Sequence, residues 1–324
     1  MRTIRFFCVG IVSIGLILLP TEKNFSAGAN YPLKPIQVVV AFAPGGTDVN
    51  LRPFIDKMPD YLGQPMTFSY KPGAAGALGA GYVATSKPDG YTILGSTQSA
   101  MVVIPHTQKG VAYTLDSFTP ICNLTESYPI LWVQSGARWK NLPELVAEAK
   151  KKPGTISFTS PGTLAIQHLL VEAFAREAGI KLNHIPAQGG ATVITALLGG
   201  HVEMAVQDIV TGLPHVQAGT LRPLGVFSPK RPKALPNAPT IAEQGYPIDT
   251  PMIYGLVGPK DTPGQIVAAL SSAAAKVLEN HKAYLVERFD KLGAEIHYLP
   301  PQEYGAALRK QNDFFSRIVK EMNQ

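Results

Sequence analysis

Cysteine is scarce in this chain of 324 residues, which contains two. Cys8 lies in an apolar stretch at the amino terminus, and Cys122 is the other. If that stretch is removed, a single cysteine remains and no internal disulfide can form. The fold must therefore rest on its hydrophobic core, for which 45% apolar residues supply the material.

Charge is also low, at 16% of the residues, and the basic residues behind the net charge of +6 are scattered. A nucleic-acid interface needs basic residues clustered on one face with aromatic residues among them. We therefore expect no nucleic-acid partner. The weak positive balance is compatible with anionic ligands.

Long apolar runs are missing from most of the chain, and the one at residues 6–20 is shorter than the ~20 residues of a membrane-spanning helix. Arg2 and Arg5 precede it, and small residues at 27–29 follow it, which is the pattern of a signal peptide. We expect cleavage after Ala29 and a periplasmic protein. An uncleaved amino-terminal anchor is the alternative, and it also places the fold outside the cytoplasm.

Motifs of catalysis and of metal or cofactor binding are weak. No G-x-S-x-G elbow is present, and the histidines show no metal spacing. Gly79, Gly81 and Ala84 match a dinucleotide fingerprint, but they come well after the preceding strand pattern. We expect no metal, no cofactor and no enzymatic activity. An exported hydrolase stays the alternative, because the members of a catalytic triad meet in space and not in sequence.

Short β-branched runs alternate with helical patterns, which predicts an α/β fold with mostly parallel sheets. Strands are predicted at residues 36–42, 66–70, 92–96, 130–133, 155–159, 182–186 and 202–206, with a short one at 295–298. Helices are predicted at residues 51–61, 77–86, 164–178 and 301–322, with another beginning near 262. The late helices have no further run of strands to cover, so they should pack back on the first domain.

The length suggests two domains at roughly 150 residues each. We expect the chain to cross between them near residues 128–130 and again near 224–228. Residues 30–128 and 229–324 would then form the first lobe and residues 129–228 the second.

Three turns follow predicted strands, and all contain glycine or hydroxyl residues. The first contains Ala43, Gly46, Thr47 and Asp48; the second contains Ser160, Gly162 and Thr163; the third contains Ala187, Gln188, Gly189 and Gly190. Free amides at a helix start bind anions, although the first turn alone favours a plain tight connection from strand to helix. In open α/β sheets ligands bind at the carboxyl ends of strands, where all three turns must lie. Together they predict a cleft.

Several motifs in order along the chain carry a family resemblance. They are the residues 44–48 turn (PGGTD), residues 71–76 (KPGAAG), residues 88–92 (PDGYT), residues 160–169, residues 196–200 (ALLGG) and residues 239–240 (PT). Over nearly all of the mature chain, the sequence resembles the solute receptors of tripartite tricarboxylate transporters, often called the Bug family.

The resemblance implies a type II periplasmic-binding-protein fold, in which two α/β lobes joined by two crossing strands close around a small carboxylated solute. That solute would be a di- or tricarboxylate, an acidic amino acid or an aromatic acid. The implied partners are one large and one small membrane subunit of the transporter, and we expect a monomer. Some members of the family act in signalling, so a sensor for a membrane partner is an alternative function.

The family's binding residues, carried over by position, fall on the three turns and on Asp208. They are Ala43, Gly46, Thr47 and Asp48 in one lobe, and Ser160, Gly162, Thr163, Gln188, Gly189, Gly190 and Asp208 in the other; Ser96 and Ala187 complete the predicted site. Ala187 stands where the family often has an aromatic residue, which would leave room for a larger solute.

Asp48 and His168 have structural alternatives, and Asp208 has two possible roles at the site. Asp48 can cap its own helix, and His168 can cap the helix that follows the second turn. Asp208 can contact a ligand amine or orient a bridging water.

Overall fold

The computed structural model describes residues 31–187 and 190–322. The signal peptide predicted at residues 1–29 lies outside them. The strands are β1 (Ile36–Val40), β2 (Met66–Tyr70), β3 (Thr92–Thr97), β4 (Phe118–Ser127), β5 (Pro129–Gln134), β6 (Ser157–Thr159), β7 (Asn183–His184), β8 (Met204–Asp208), β9 (Leu221–Val226), β10 (Met252–Pro259) and β11 (Glu295–Leu299). The α-helices are α1 (Gly46–Ile55), α2 (Pro59–Leu62), α3 (Ala77–Ala84), α4 (Ser99–Val102), α5 (Ile104–Thr107), α6 (Leu142–Lys151), α7 (Ile166–Ala178), α8 (Gly190–Leu198), α9 (Ile209–Gln217), α10 (Gly264–Asn280), α11 (Lys282–Leu292) and α12 (Pro301–Met322).

The first sheet has the strand order β11-β4-β10-β3-β1-β2. β1 lies between β2 and β3 and is parallel to both. Val38 and Val39 on β1 are fully buried. Adjacent buried residues point to opposite faces of a strand, so both faces of this sheet are covered, as is usual for parallel strands.

The second sheet has the strand order β7-β6-β8-β5-β9. β6 is parallel to β7 and β8, whereas β5 is antiparallel to β8 and β9. The α/β fold with two sheets is therefore confirmed.

The prediction that the sheets are mostly parallel is wrong. Among the pairings of the described strands, four are parallel and five are antiparallel. The antiparallel pairings involve the strands that connect the sheets. β4 continues into β5 after the single residue Tyr128. The chain therefore passes from the first sheet into the second without a helical crossover, which is the connection that parallel neighbouring strands need.

The sequence pattern did not predict two long strands of the first sheet, β4 and β10. Because β10 lies late in the chain, the expectation of only a short strand there is wrong. β10 contains Gly255, a residue type that normally weakens a strand. Here the glycine is required, because a Cβ at this position would lie 2.5 Å from the Cys122 carbonyl oxygen and 2.7 Å from the Tyr304 ring.

The segment between β9 and β10 leads the chain back from the second sheet to the first. Thr240 forms a parallel bridge with Val226 of β9, whereas Lys230 lies 2.7 Å from Glu295 of β11. The segment between β9 and β10 thus contacts both sheets. The lobe boundary at residue 229 stays a prediction.

Helix α12 packs on β4 of the first sheet and against α7, which follows β6 of the second sheet. Arg176 of α7 and Glu321 of α12 form an ion pair across this contact. In the part of the chain that the structure describes, no helix has the length and apolar character needed to cross a membrane.

Candidate functional site

The first glycine turn joins β1 to α1. Helix α1 begins at Gly46, earlier than the predicted start at residue 51. The early start has a local cause, because the Gly45 amide donates a 2.6 Å hydrogen bond to Asp48 Oδ1 and closes the first turn. The turn therefore leads directly into the amino-terminal, positive end of the helix dipole. Thr47 is 7% exposed there.

The Asp48 carboxylate is held by groups of α1, of the turn before it and of β2. Besides the Gly45 amide, the Tyr70 hydroxyl donates to Asp48 Oδ2 at 3.0 Å, and Arg52 Nη2 donates to the same oxygen at 3.4 Å. These contacts favour the structural alternative for the carboxylate. A contact between this turn and a solute would then be made by the backbone.

The second turn follows β6. Ser160 Oγ lies 3.1 Å from the Gly162 carbonyl oxygen and 2.8 Å from His184 Nε2. The side chain is fully buried. Because the carbonyl oxygen only accepts, the Ser160 hydroxyl donates to it and the His184 N–H donates to Ser160.

The third turn lies beside the second. The Ala187 amide donates a 3.0 Å hydrogen bond to the Ser160 carbonyl oxygen, and helix α8 begins at Gly190. Gln188 and Gly189, two predicted binding residues, lie outside the described residues. The structure thus brings the second and third turns together through Ser160 and Ala187.

Ser96 lies within the first sheet. It is fully buried on β3 and pairs with Gly255 of β10. Among the described residues, its hydroxyl has no hydrogen-bond partner. A contact between Ser96 and a solute stays a prediction.

Asp208 ends β8 at the point where the two sheets meet. Its carboxylate accepts from the Val210 amide at 3.2 Å, from Tyr254 Oη at 3.0 Å, and from Ser127 Oγ. Burial raises the pKa of Asp208, and the three hydrogen bonds oppose that rise. The side chain therefore caps α9 and joins β8 to β4 and β10. A direct contact with a solute stays a prediction.

Three buried glutamines, which the sequence analysis did not single out, lie near the ends of strands in the two sheets, and Gln167 among them contacts both. Gln98 accepts from the Ile253 amide at 2.9 Å and donates to the Pro251 carbonyl oxygen at 3.0 Å. Gln167 lies 3.5 Å from Gln207 Oε1 and 3.5 Å from Met252 Sδ. Gln98 and Gln207 stand at the carboxyl ends of β3 and β8, and that placement is the signal that points to them.

The Ser160–His184 pair has the spacing of a nucleophile and a base. However, burial first, and the neighbouring His168 second, lower the pKa of His184 to about 4. Since a general base works best with a pKa near the working pH, this histidine is poorly suited to activate Ser160 at neutral pH.

Two cavities lie away from the three turns. One of about 490 Å³ is lined by residues such as Arg222, Leu224 and Leu235. The other, of about 570 Å³, lies between α7 and α12 and is lined by Glu172 and Phe314 among others. Neither includes a predicted binding residue. We favour the turns as the site, because they lie at the carboxyl ends of strands in both sheets. The described residues contain no group of three His, Cys, Asp or Glu side chains that could hold a metal ion.

Comparison with known proteins gives relatives over most of the chain. The chain is 34% identical to the UPF0065 protein in the gbd 5' region of Cupriavidus necator, over 90% of this chain and 88% of the relative. It is 31% identical to protein BugT of Bordetella pertussis, over 90% of each.

Solved structures show the same fold. A structure described as a periplasmic transporter has a TM-score of 0.81 at 34% identity and covers 90% of this chain and 98% of its own. Rpa4515 of R. palustris with adipate has a TM-score of 0.80 at 25% identity and covers 90% and 97%. MatC of Rhodopseudomonas palustris with bound malate has a TM-score of 0.78 at 26% identity and covers 89% and 100%.

A family model described as the tripartite tricarboxylate transporter family receptor matches residues 51–324, which is most of the chain. The resemblance drawn from the sequence motifs is therefore confirmed. It agrees with the two-sheet architecture, in which one glycine turn follows β1 and another follows β6. The chain belongs to the tripartite tricarboxylate transporter family of receptors.

Proposed function

We propose that the protein is an extracytoplasmic receptor that captures a small carboxylated solute between its two lobes and delivers it to the large and small membrane subunits of a transporter. The class comprises di- and tricarboxylates, acidic amino acids and aromatic acids. The relatives with bound adipate and malate favour dicarboxylates within this class.

The arrangement of the turns carries this proposal. One turn ends β1 in the first sheet, the other ends β6 in the second, and the chain passes between the sheets at Tyr128. A cleft with backbone amides on both walls suits a ligand with two anionic ends. Each carboxylate can accept N–H donors without a charged partner from the protein.

The proposed contacts divide between the lobes. They are Ala43, Gly46, Thr47, Asp48 and Ser96 on the first lobe, and Ser160, Gly162, Thr163, Ala187, Gln188, Gly189, Gly190 and Asp208 on the second. Asp48 and Asp208 would contribute through their backbone or a bridging water, because their carboxylates already accept from protein donors.

Export completes the proposal. Removal of residues 1–29 would leave a protein in the periplasm, where the membrane subunits can receive the solute. Binding would leave the solute unchanged.

A thermal-shift panel tests this function. Malate, adipate, citrate, glutamate and benzoate are added to the mature protein, and the solutes that raise the melting temperature are titrated by calorimetry. A true ligand at a hundredfold excess over its Kd adds about 2.7 kcal/mol to the free energy of unfolding. Recovery of the solute is checked after binding. The proposal fails if none of these classes changes the melting temperature at millimolar concentration, or if the solute is converted.

A further inference from the structure

Leu164 has an unusual backbone conformation at the end of the second turn. Its φ of +59° lies in the left-handed region, although leucine carries a Cβ that disfavours it. The residue stands between the predicted contacts at 160–163 and the start of α7 at Ile166. Something must therefore hold it in place.

His168 on the first turn of α7 provides that contact. The Leu164 amide donates a 3.0 Å hydrogen bond to His168 Nδ1. Because Nδ1 accepts, it carries no hydrogen, and the ring hydrogen of the neutral histidine is on Nε2. That nitrogen lies 3.4 Å from Glu172 Oε1, an acceptor that fits this tautomer. The His168 side chain is buried.

His184 ties the other end of the turn to the same ring. The His168 and His184 rings stack with their centroids 3.9 Å apart and an interplanar angle of 19°. His184 Nε2 in turn lies 2.8 Å from Ser160 Oγ. The two stacked rings therefore contact the turn at its first residue and at its last.

We propose that His168 is a positioning residue, which holds the turn at residues 160–164 in its binding shape through its unprotonated Nδ1, so that a proton added there releases the turn and weakens solute binding. This rests on the proposed function, because that turn is part of the proposed cleft.

Protonation of the His168 ring would weaken its contact with the turn. A protonated histidine has a hydrogen on both nitrogens. At His168 the new Nδ1 hydrogen would face the Leu164 amide, and two donors would meet at a distance where one now accepts. Leu164 would then lose the contact that offsets its left-handed backbone.

The surroundings of the ring define which charges act on it. Glu172 on α7 contacts Nε2 and favours a proton. His184 on β7 stacks on the ring, and burial lowers its own pKa to about 4, so its side chain is neutral well above that pH. Phe158 on β6 packs near both rings and brings no charge.

Two variants test the Nδ1 acceptor of His168 and its ring one at a time. His168→Asn keeps an oxygen acceptor near the position of Nδ1 but cannot take up a proton at mild pH. His168→Phe keeps the ring for stacking on His184 but has no acceptor. Circular dichroism checks that both fold.

Hydrogen exchange of the Leu164 amide by NMR, in ligand-free mature protein, is the direct test. We expect its protection factor to fall at least tenfold between pH 7.5 and pH 5.0 in the wild-type protein, to be independent of pH in His168→Asn, and to be low at both pH values in His168→Phe. The Leu170 amide inside α7 is the internal reference. The same fall in His168→Asn as in the wild-type protein would overturn the proposal. A failure of His168→Phe to fold leaves the comparison with His168→Asn decisive.

Calorimetry with malate as the probe then tests the link to binding. Malate affinity should fall at least tenfold more between pH 7.5 and 5.0 for the wild-type protein than for His168→Asn, because protonation of malate itself affects both equally. Equal pH dependence in the two proteins would overturn the link. If malate binds neither protein, the expectation of a dicarboxylate ligand fails, while the exchange of the Leu164 amide still decides whether His168 positions the turn.

Discussion

The hydroxyl of Tyr254 donates a 3.0 Å hydrogen bond to Asp208 Oδ2, and this contact joins β10 of the first sheet to the end of β8 in the second. Ser127, the last residue of β4, donates to the other oxygen of the same carboxylate. One buried carboxylate thus holds two strands of the first sheet at the place where the chain leaves it.

Tyr254→Phe removes one donor and keeps the ring. We expect the free energy of unfolding to fall by about 1–3 kcal/mol, because a buried carboxylate loses a partner that water cannot replace. Urea denaturation followed by circular dichroism measures it. Tyr82→Phe is the matched control, since Tyr82 is 43% exposed. An equal, small effect of both variants would show that the Asp208 contact contributes nothing.

Glu126 and His297 form a second contact near the crossing, with His297 Nδ1 3.0 Å from Glu126 Oε2. Burial alone would raise the pKa of Glu126, but hydrogen bonds from His297 and Tyr128 and the charge of Lys230 outweigh it and lower the pKa. The hydrogen bond to Glu126 raises the pKa of His297.

The pH dependence of this pair follows from the direction of the His297 shift. A histidine with a raised pKa in the folded state stabilises the fold fully below the unfolded pKa of about 6.5, and the effect is lost as pH rises through the folded pKa. His297→Gln should therefore lower the melting temperature more at pH 6 than at pH 9. Because His297 is partly exposed, we expect less than about 1 kcal/mol. His201→Gln, at an exposed position, is the control. A larger effect at pH 9 would contradict the assignment.

The anion-binding role of the first turn can be tested at Thr47, the second residue of α1. Thr47→Pro deletes one amide donor at the helix start, where proline is otherwise tolerated. Loss of a donor to a charged partner costs about 1–3 kcal/mol, so affinity for the best solute of the panel should fall about tenfold or more.

Gln265→Pro is a matched control for this variant, because it also places proline second in a helix and directly after a glycine, Gly264. Gln265 is exposed and lies outside the proposed site. Calorimetry should show unchanged affinity for Gln265→Pro. Undiminished affinity of Thr47→Pro would remove the turn amides from the mechanism.

Closure of the lobes is the expected response to a solute, because the proposed contacts lie on both sides of the crossing at Tyr128 and neither lobe holds all of them. Small-angle scattering of the mature protein should give a smaller radius of gyration with saturating solute. Thr47→Pro at the same solute concentration should show less compaction. An unchanged radius in the wild-type protein at saturation would argue against a hinge.

Local sequence patterns predicted the elements that local chemistry determines. β2 and α12 have the predicted bounds at residues 66–70 and 301–322, because a β-favouring run and a long amphipathic pattern are each complete within the segment. β10 could not be found in this way. Its glycine at Gly255 is explained by the Tyr304 ring, which is distant in sequence.

In the candidate site, too, a contact between residues close in sequence was predicted, whereas a contact between residues on different strands was not. The capping of α1 by Asp48 acts over three residues and was one of the two alternatives for that side chain. The contact of Ser160 with His184 depends on β6 and β7 being neighbours in the second sheet. The sequence spacing of these two residues carries no sign of it.

Ala187 offers a test of solute size, since the family resemblance implies that an aromatic residue is common at its position. Its amide is fixed by the Ser160 carbonyl oxygen, and its side chain packs at the edge of the second buried cluster. The backbone anchor should survive substitution, so a change at this position alters volume rather than the shape of the turn. If the solute fills the volume that an aromatic ring would occupy, Ala187→Tyr should exclude it and lower affinity at least tenfold.

Ala187→Ser is the matched control, because it adds a polar atom without a ring and should bind within about threefold of the wild-type protein, a difference below 1 kcal/mol. Both variants are titrated by calorimetry against the best solute of the panel and against malate, after circular dichroism has confirmed that they fold. A compact dicarboxylate held at the first turn alone should bind Ala187→Tyr as well as it binds the wild-type protein. Tighter binding of the best solute by Ala187→Tyr would contradict an enlarged pocket, because a ring that improves affinity must contact the solute rather than displace it.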